Sequence, residues 1–330
     1  MLKFGLIGTG GIAQTYAQAF PTSDLCELVA VADVRKDSAD AFAEPLGAKA
    51  FTDYKELAER SDLEAVIIST PPNSHPEIAE YFMKRGVHVL CEKPLCLTVA
   101  DAKRMIAAAE ENNVTFTMAS KFRYVEDVIK AKAMVASGTL GEIIQFENAF
   151  TAKVDMSTRW NSDSAVSGGG VLMDNGTHSV DIIRYFLGPI TDVIAVEAGG
   201  TQGLSVDENV KLMARTKNSV VATVDLTWGI NKELPNFISV YGTAGTLHIG
   251  WRESKFKLNS SPDWTVFGSG YDKVQAFRSK IENFRDAVRG TDDLLITAEG
   301  ALASVEVIEA AYRSLNGSKW EPVSRSVAGA

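Results

Sequence analysis

The chain has 330 residues, of which 45% are hydrophobic and 23% are charged, and its formal net charge is −9. This length favours two domains, and the ordinary composition excludes a disordered, collagen-like or miniature disulfide-rich protein. The acidic balance argues against nucleic-acid and anionic-membrane partners, and no apolar run approaches the roughly 18–20 residues of a membrane span. Cys26, Cys91 and Cys96 match neither a disulfide framework nor a metal site, so we expect no metal and reduced thiols in the cytoplasm.

The first 120 residues alternate short β-rich runs with longer amphipathic segments. The predicted strands cover residues 3–7, 28–32, 65–69, 88–91 and 115–118, and the clearest helices between them cover 54–60, 76–85 and 99–112. Strands separated by helices of this length are joined by right-handed crossovers and form a mostly parallel sheet. We therefore predict an α/β domain over residues 1–120.

The remaining residues follow a different pattern, in which strands succeed one another. After a predicted helix at 126–137, the predicted strands cover 143–150, 192–198, 210–215, 220–227, 237–241 and 246–249, and further helices cover 180–187, 274–289 and 299–315. Successive strands with helices on one face predict an α+β domain with an antiparallel or mixed sheet over residues 121–330. The segment after Trp320 either stays loosely held or returns to the first domain.

A glycine-rich turn follows the first predicted strand and opens a predicted helix. The turn consists of Gly8, Thr9, Gly10, Gly11 and Ile12, and with Ala13 it matches the pattern G-x-G-x-x-A. In this pattern Gly8 permits a tight turn, Gly10 lets the backbone approach a pyrophosphate, and Ala13 permits close packing of helix on strand. The turn therefore predicts a dinucleotide site, although a simple strand–helix turn has the same pattern.

An acidic residue follows the second predicted strand, where dinucleotide-binding domains hold the adenosine ribose. Asp33 lies twenty residues after Ala13. A carboxylate at this position accepts hydrogen bonds from the ribose hydroxyls and repels a 2′-phosphate, which favours NAD over NADP. Arg35 and Lys36 are near enough along the chain to meet that phosphate, so NADP is the alternative.

Two further loops follow predicted strands at the edge where a parallel sheet binds its ligand. We expect both loops beside the cofactor. The first provides Thr70, Pro71, Asn73 and His75, and the second provides Glu92 and Lys93, followed by Pro94. His75 is expected to fix its loop rather than act as a base, whereas the Lys93 ammonium can donate a hydrogen bond to a hydroxyl or carbonyl oxygen.

A third polar group lies in the second part of the chain, after the glycine triplet 168–170. If this segment is helical, Asp174 and His178 share one face, and Asp181 extends it. A carboxylate beside an imidazole orients the ring and stabilises its protonated form, which suits general acid–base chemistry. A capping aspartate and a buried structural histidine would give the same pattern.

In their order and spacing, these motifs resemble the Gfo/Idh/MocA family, which is named for glucose–fructose oxidoreductase and inositol dehydrogenase. The matching segments are Gly8-x-Gly10, Thr70-Pro71, Glu92-Lys93-Pro94 and residues 168–181, together with 138–141, 242–247, 284–287 and 304–306. Each motif is weak alone, but the set spans almost the whole chain.

The resemblance implies an N-terminal Rossmann domain, a C-terminal open and mostly antiparallel sheet, and oxidation or reduction of a secondary alcohol of a sugar, polyol or nucleotide sugar with NAD(H) or NADP(H). It also implies that Lys93, Asp174 and His178 form the catalytic group. His178 is the first choice for the general base, because an unperturbed pKa of about 6.5 suits proton transfer near neutrality. Lys93 would hold the reacting oxygen or, if desolvated, accept the proton itself. Asp174 would orient His178 or bind a neighbouring substrate hydroxyl.

Six further residues are candidates for substrate binding, and the positions of Arg123 and of residues 159–161 can reach the substrate crevice in members of the family. They are Arg123, Tyr124, Arg159, Trp160, Asn161 and Asn175. Trp160 is suited to stacking on a sugar or on the nicotinamide, and the two arginines are suited to a phosphate or carboxylate. A structural ion pair or a core aromatic is the alternative for each.

Two other functions are kept as alternatives. One is a regulator that binds a dinucleotide without turnover, and the other is a dehydrogenase of a non-sugar diol or ketone. The family resemblance also implies a homodimer or homotetramer formed through the C-terminal sheet.

Overall fold

The structure, a computed structural model, describes residues 1–323, which divide into two compact units. The first unit contains Met1–Tyr124 and Lys273–Leu302, and the second contains Val125–Asp272 and the described chain from Ala303. The first unit thus includes a late segment that the sequence analysis placed in the second domain. Within residues 1–323, no helix has the length and apolar character that crossing a membrane requires.

The strands and helices of the first unit follow the predicted alternation, and the α-helices of both units are numbered together in chain order. The α-helices are α1 (Ala13–Ala19), α2 (Lys36–Ala43), α3 (Tyr54–Ala58), α4 (His75–Met83), α5 (Val99–Glu111), α6 (Glu126–Ala136), α7 (Ser164–Ser167), α8 (Val171–Leu187), α9 (Lys273–Arg289) and α10 (Ala298–Gly317). The strands of the first unit are β1 (Leu2–Ile7), β2 (Cys26–Ala32), β3 (Lys49–Phe51), β4 (Ala65–Ile68), β5 (His88–Glu92) and β6 (Phe116–Ala119).

The sheet of the first unit is parallel throughout and has the order β3-β2-β1-β4-β5-β6. The predicted parallel α/β architecture is confirmed. All of β4 is buried, as expected for a strand covered on both faces. Helix α2 and strand β3 were not predicted from the sequence. Strand β3 has only three residues, none of them fully buried, and is too short to show a strand pattern.

Helix α9 joins the core of the first unit although it lies far along the chain. Phe277, Ile281 and Phe284 are fully buried in the cluster that contains Phe4 of β1. The Phe4 ring centroid lies 5.5 Å from that of Phe20 and 6.0 Å from that of Phe284. Aromatic burial of this kind holds the helix on the sheet, and it fixes where the side chains of α9 point.

The second unit is built on one large sheet. Its strands are β7 (Ile143–Thr151), β8 (Ile190–Glu197), β9 (Asn209–Thr216), β10 (Val221–Thr227), β11 (Asn236–Gly242), β12 (Gly245–Gly250), β13 (Ser254–Leu258), β14 (Thr265–Gly268) and β15 (Glu321–Pro322). The order is β14-β13-β12-β11-β7-β10-β9-β8-β15. Only β7 and β10 are parallel neighbours among these described strands, so the predicted mostly antiparallel sheet is confirmed.

Helix α8 packs against β7, β9 and β10. Phe146, Asn148 and Phe150 of β7 alternate towards the buried side of the sheet. The helix begins at Val171, whereas the sequence predicted it only over 180–187. The polar and glycine residues 174–176 interrupt the apolar pattern in the first turns, which explains the late predicted start.

Candidate functional site

The glycine-rich turn lies between β1 and α1 in the first unit. Gly8 has a φ of +91°, and a Cβ at this position would lie 2.9 Å from the carbonyl oxygen of Ser69, so the turn requires glycine here. A Cβ added at Gly10 or Gly11 would meet no atom within 4 Å. The turn therefore leaves open space beside its backbone, as the pyrophosphate of a dinucleotide needs.

Asp33 follows β2 and is held against this turn. Its Oδ2 accepts hydrogen bonds from the Thr9 amide at 2.9 Å and the Thr9 hydroxyl at 2.8 Å, and its Oδ1 accepts one from the Arg35 amide at 3.0 Å. Partial burial alone would raise the pKa of Asp33, but these hydrogen bonds outweigh it and hold the pKa below its usual value. An ionised carboxylate fixed here fits a ribose diol and opposes a 2′-phosphate.

His75 connects the two loops that were expected to line the cofactor. It is fully buried, its Nε2 lies 2.9 Å from the carbonyl oxygen of Thr70, and its Nδ1 lies 3.0 Å from that of Pro94. The Thr70 and Ser74 hydroxyls hydrogen-bond each other at 2.7 Å within the first loop. His75 therefore fixes the backbone on both sides of the sheet edge where Lys93 emerges.

Glu92, the last residue of β5, lies in a buried polar network. Its Oε1 accepts hydrogen bonds from the Tyr16 hydroxyl at 2.7 Å and from Lys280 Nζ at 2.9 Å. Burial would raise the pKa of Glu92, but the ammonium group of Lys280 and the hydrogen bond from Tyr16 keep it below its usual value. Glu92 is thus an ionised internal partner of α9, which gives the residue before Lys93 a fixed position.

Lys93 and Lys121 follow neighbouring parallel strands and are both half-buried. Because Glu92 pairs with Ala119 in the register of β5 and β6, the two lysines leave the same edge of the sheet. Desolvation and the charge of Lys93 are the leading causes that lower the pKa of Lys121 to about 7. Lys121 was not among the residues singled out in the sequence.

Arg123 and Tyr124 make contacts inside the first unit. Arg123 is mostly buried, and its Nη1 donates to the carbonyl oxygen of Leu295 at 3.2 Å. The buried Tyr124 hydroxyl donates to Oδ1 of Asn283 at 3.1 Å, and the Tyr124 carbonyl accepts from Gln275. Their role in substrate binding stays a prediction, and these contacts give both residues a positioning role for the end of β6.

In the second unit, Asp207 holds the start of α8. Three consecutive amides at the helix N-terminus donate to it: Gly170 to Oδ2 at 2.9 Å, Val171 to the carbonyl oxygen at 2.8 Å and Leu172 to Oδ1 at 2.8 Å. The Tyr312 hydroxyl donates to Oδ2 at 2.9 Å. Burial raises the pKa of Asp207 in spite of these bonds. This single residue, through its carboxylate and its backbone carbonyl, thus accepts from three amides at the start of the helix, where amides lack intrahelical partners.

The glycine triplet has a steric reason in the same contact. A Cβ on Gly170 would lie 1.9 Å from the Asp207 carbonyl oxygen, and a Cβ on Gly169 would lie 1.9 Å from the Tyr312 hydroxyl.

We expect Gly170→Ala to lower the free energy of unfolding by roughly 1–3 kcal/mol or more, because the backbone must move to accept the methyl group. Denaturant unfolding of this variant beside Gly199→Ala, where a Cβ meets nothing within 4 Å, measures the difference. Equal stability of the two variants would contradict this packing.

Asp174 and His178 lie on α8, one helical turn apart, as the sequence predicted on the condition that the segment is helical. Asp174 and Asn175 are half-buried, His178 is 5% exposed, and Asp181 is fully buried. The His178 ring lies 6.1 Å from the ring of Phe150, centroid to centroid. The helix that Asp207 anchors thus presents a carboxylate and an imidazole on one face.

The segment before α7 contains the remaining candidates. Arg159 and Trp160 are exposed, with 43% of Trp160 accessible, and Asn161 is half-buried. Trp160–Ser162 form a short 3-10 helix. Exposure leaves the indole ring of Trp160 available for stacking, although its role in substrate binding stays a prediction.

The structure therefore groups the predicted residues in two sets. The first set lies at the carboxyl edge of the parallel sheet and consists of the glycine-rich turn, Asp33, the Thr70 loop and Lys93. The second set lies on α8 and consists of Asp174 and His178. Within residues 1–323, no group of three or more His, Cys, Asp or Glu side chains is arranged to hold a metal ion, and the three cysteines are buried free thiols.

Two residues that position these sets were missed in the sequence. Lys280 lies within the apolar stripe of α9, beside Ala276, Phe277 and Ile281, and a charge at such a position indicates a buried partner. Asp207 gave no comparable signal, because it acts on amides more than thirty residues earlier in the chain.

Two parts of the chain match models of known protein families. Residues 2–120 match the family model described as "Oxidoreductase family, NAD-binding Rossmann fold", and residues 128–248 match the "GFO/IDH/MocA C-terminal domain". Similar proteins include glucose-6-phosphate 3-dehydrogenase of Bacillus subtilis (strain 168), 29% identical over 68% of this chain and 67% of that protein. Myo-inositol 2-dehydrogenase of Thermotoga maritima is 29% identical over 91% of this chain and 79% of that protein.

A solved structure has the same fold. The structure titled "Levoglucosan dehydrogenase, complex with NADH" superposes with a TM-score of 0.91 over 98% of this chain and 99% of that chain, at 21% sequence identity. The two family models together cover most of the chain. The chain therefore belongs to the Gfo/Idh/MocA family of oxidoreductases and carries that family's NAD-binding Rossmann domain.

Proposed function

We propose that this protein is an NAD-dependent dehydrogenase or reductase that transfers a hydride between the nicotinamide and a secondary alcohol or ketone of a sugar, polyol or nucleotide sugar. One observation carries the proposal. This chain belongs to the oxidoreductase family and has Lys93, Asp174 and His178, the three residues that the family resemblance implies to be catalytic. The names of the similar proteins, which include dehydrogenases of glucose 6-phosphate and of myo-inositol, support a carbohydrate or polyol substrate.

The first unit would hold the cofactor. The open space at Gly10 and Gly11 fits the pyrophosphate, and the ionised Asp33 fits the adenosine ribose. NAD, when bound, supplies a nicotinamide ring that accepts or donates the hydride. The loops that His75 joins would line the ring side of the cofactor, with Thr70, Pro71, Asn73, Glu92 and Lys93 at or near it.

Three residues would act on the hydroxyl group of the substrate that is oxidised. Lys93 would hold the reacting oxygen and stabilise negative charge on it as the hydride leaves. His178 would accept the hydroxyl proton as the general base, and Asp174 would orient the imidazole or bind an adjacent hydroxyl. The alternative assignment gives the proton to Lys93 and leaves His178 as a hydrogen-bonding partner.

Asp33 is expected to set the preference between NAD and NADP. We expect Asp33→Ala to raise KM for NAD by roughly 10–100-fold, because charge-assisted hydrogen bonds to the ribose are lost. The effect on NADP should be smaller, since a repulsive charge is removed at the same time. Steady-state kinetics with each cofactor measures the ratio.

A matched control is Asp37→Ala, which removes an exposed carboxylate from the first turn of α2. It should leave both KM values unchanged. Equal losses for NAD and NADP in Asp33→Ala would contradict the ribose assignment.

The substrate class is tested by the absorbance of NADH during incubation with a panel of polyols, aldoses, sugar phosphates and nucleotide sugars, with NAD and NADP in parallel. Turnover of one member supports the proposal. Tight NAD binding without turnover on any member would favour the regulator that binds a dinucleotide, and turnover restricted to non-sugar diols or ketones would favour the other alternative.

We also propose that the protein acts in the cytoplasm as a homodimer or homotetramer that associates through the second unit's sheet. In the register of that sheet, Val196, Met213 and Val266 lie on one face, and they are 59%, 41% and 56% exposed. Val196 and Met213 lie on the neighbouring strands β8 and β9, and adjacent exposed apolar side chains are typical of an interaction surface, whereas Val266 lies on β14 at the far edge of the sheet. Sedimentation of the protein as a monomer at micromolar concentration would contradict this association.

A further inference from the structure

The chain between β7 and α7 contains Arg159 and Trp160, two of the candidate residues for substrate binding. Its backbone is held by short local turns, in which the Arg159 amide donates to the carbonyl oxygen of Met156 at 3.0 Å and the Asp163 amide donates to that of Trp160 at 3.1 Å. Met156 is 2% exposed, whereas Arg159 and Trp160 are exposed. The position of the exposed turn therefore depends on how the buried residue 156 is held.

Gln202, from the loop between β8 and β9, holds this segment. Its Oε1 accepts a hydrogen bond from the Met156 amide at 2.9 Å, and its Nε2 donates to the carbonyl oxygens of Val154 at 3.0 Å and Trp228 at 3.2 Å. A carboxamide has one acceptor oxygen and two donor hydrogens, so this orientation uses both ends of the side chain. The half-buried Gln202 thus ties the segment to the residue that follows β10.

Glu208, the residue before β9, holds the loop that carries Gln202. The buried carboxylate accepts hydrogen bonds from three backbone amides, those of Thr201 at 2.8 Å, Gln202 at 3.0 Å and Leu204 at 3.3 Å. Burial would raise the pKa of Glu208, but these hydrogen bonds keep it below its usual value, so the carboxylate is ionised near neutral pH. A Cβ on Gly200 would lie 2.7 Å from Oε1 of Glu208, which shows how closely the loop approaches the carboxylate.

We propose that Gln202 is a positioning residue for substrate binding. Held by Glu208, its carboxamide fixes residues 154–162, and Arg159 and Trp160 are thereby kept in one arrangement towards the substrate. This inference rests on the proposed function, in which these two residues contact the substrate. Loss of the carboxamide would leave three backbone groups without their partner, which is costly where the backbone is buried. The segment would then adopt several arrangements, and only the competent fraction would bind the substrate.

Two substitutions of Gln202 remove its hydrogen bonds in different ways. Gln202→Ala removes all three. Gln202→Glu keeps the size of the side chain and an acceptor for the Met156 amide, but it places a carboxylate oxygen against two carbonyl oxygens. The glutamate variant therefore separates lost hydrogen bonds from lost volume, and it replaces Gln202→Ala in the test if the alanine variant does not fold. The matched control is Gln145→Ala, at an exposed glutamine of β7 in the same unit.

Amide hydrogen exchange of the whole chain, followed by mass spectrometry, tests the hold of Gln202 without any substrate. We expect peptides that cover residues 154–162 to exchange roughly tenfold faster or more in both Gln202 variants, and at the wild-type rate in Gln145→Ala. Peptides of the glycine-rich turn, in the other unit, should exchange at the wild-type rate in every variant. Unchanged exchange of residues 154–162 in both Gln202 variants would overturn the proposal.

Kinetics with the substrate found in the panel tests the consequence for binding. We expect both Gln202 variants to raise KM for the substrate by roughly tenfold or more, with KM for NAD unchanged and a smaller change in kcat. This effect should nearly disappear in a chain that already has Arg159→Ala and Trp160→Ala, because Gln202 acts through these two residues. A general loss of structure would instead add to the effect of those substitutions and would also raise KM for NAD.

Two results would overturn the positioning role while the proposed function stands. One is an equal KM for the substrate in Gln202→Ala and Gln145→Ala, and the other is full additivity with Arg159→Ala and Trp160→Ala. Absence of turnover by the wild-type protein on every member of the panel would instead refute the proposed function, and the positioning role with it. The two failures are therefore distinguished by the wild-type protein alone.

Discussion

Replacement of Lys93 by methionine is expected to lower kcat by roughly 10²–10⁴-fold. Methionine keeps the length of the aliphatic chain and removes the ammonium group that we propose to hold the reacting oxygen. The neighbouring Glu92 stays bound to Tyr16 and Lys280, so the backbone at this edge should not move. Steady-state kinetics at saturating NAD and substrate measures the change.

The control for Lys93→Met is Lys103→Met, which removes an exposed charge from α5 in the same unit. Its kcat should equal that of wild type. Binding of NAD to Lys93→Met, followed by fluorescence, separates loss of chemistry from loss of the fold. A kcat within a factor of about two of wild type in Lys93→Met would contradict the role of the ammonium group.

Removal of the imidazole in His178→Ala is expected to lower kcat for alcohol oxidation by roughly 10²-fold or more if His178 is the general base. The pH dependence of the rate distinguishes a general base from a residue with only a structural role, because loss of a structural role would leave that dependence unchanged. With wild type, the rate should rise with pH through the pKa of the base, because only the unprotonated form accepts the proton. The variant should lose this rise.

His248→Ala is the matched control, because His248 lies on β12 of the same unit and its Nδ1 hydrogen-bonds the Ser239 hydroxyl. This variant should keep both kcat and the pH profile. If His178→Ala retained the wild-type profile, the proton would be assigned to Lys93 instead, and a decrease in kcat alone would then reflect lost orientation.

The fold class could be predicted from the sequence because each unit repeats one local pattern. Buried apolar runs such as β4 alternate with helices in the first unit, and alternating side chains such as those of β7 mark the antiparallel sheet. The short strand β3 lacks the length for such a pattern. The first turns of α8 were hidden by the polar and glycine residues 174–176. Gly176 is there for close packing and not for helix propensity, because a Cβ at this position would lie 2.9 Å from a methyl group of Leu172 and 3.3 Å from one of Leu226.

Residues of the candidate site could be predicted where their roles depend on their spacing from a motif in the sequence. Asp33 was found from its distance to the glycine-rich turn, and the structure holds it against Thr9 of that turn. By contrast, the partners of Glu92 lie 76 and 188 residues away in sequence, at Tyr16 and Lys280. No local pattern connects residues at such separations, so the buried network around Glu92 becomes visible only in the folded chain.

Hydride transfer is tested most directly by isotope transfer. The substrate identified by the panel would be prepared with deuterium on the carbinol carbon and incubated with NAD and the enzyme in ordinary water, and the reduced cofactor would be examined by mass spectrometry and proton NMR. We expect the deuterium at C4 of the nicotinamide in the NADH formed. Loss of the deuterium to water, with unlabelled NADH or with none, would contradict it.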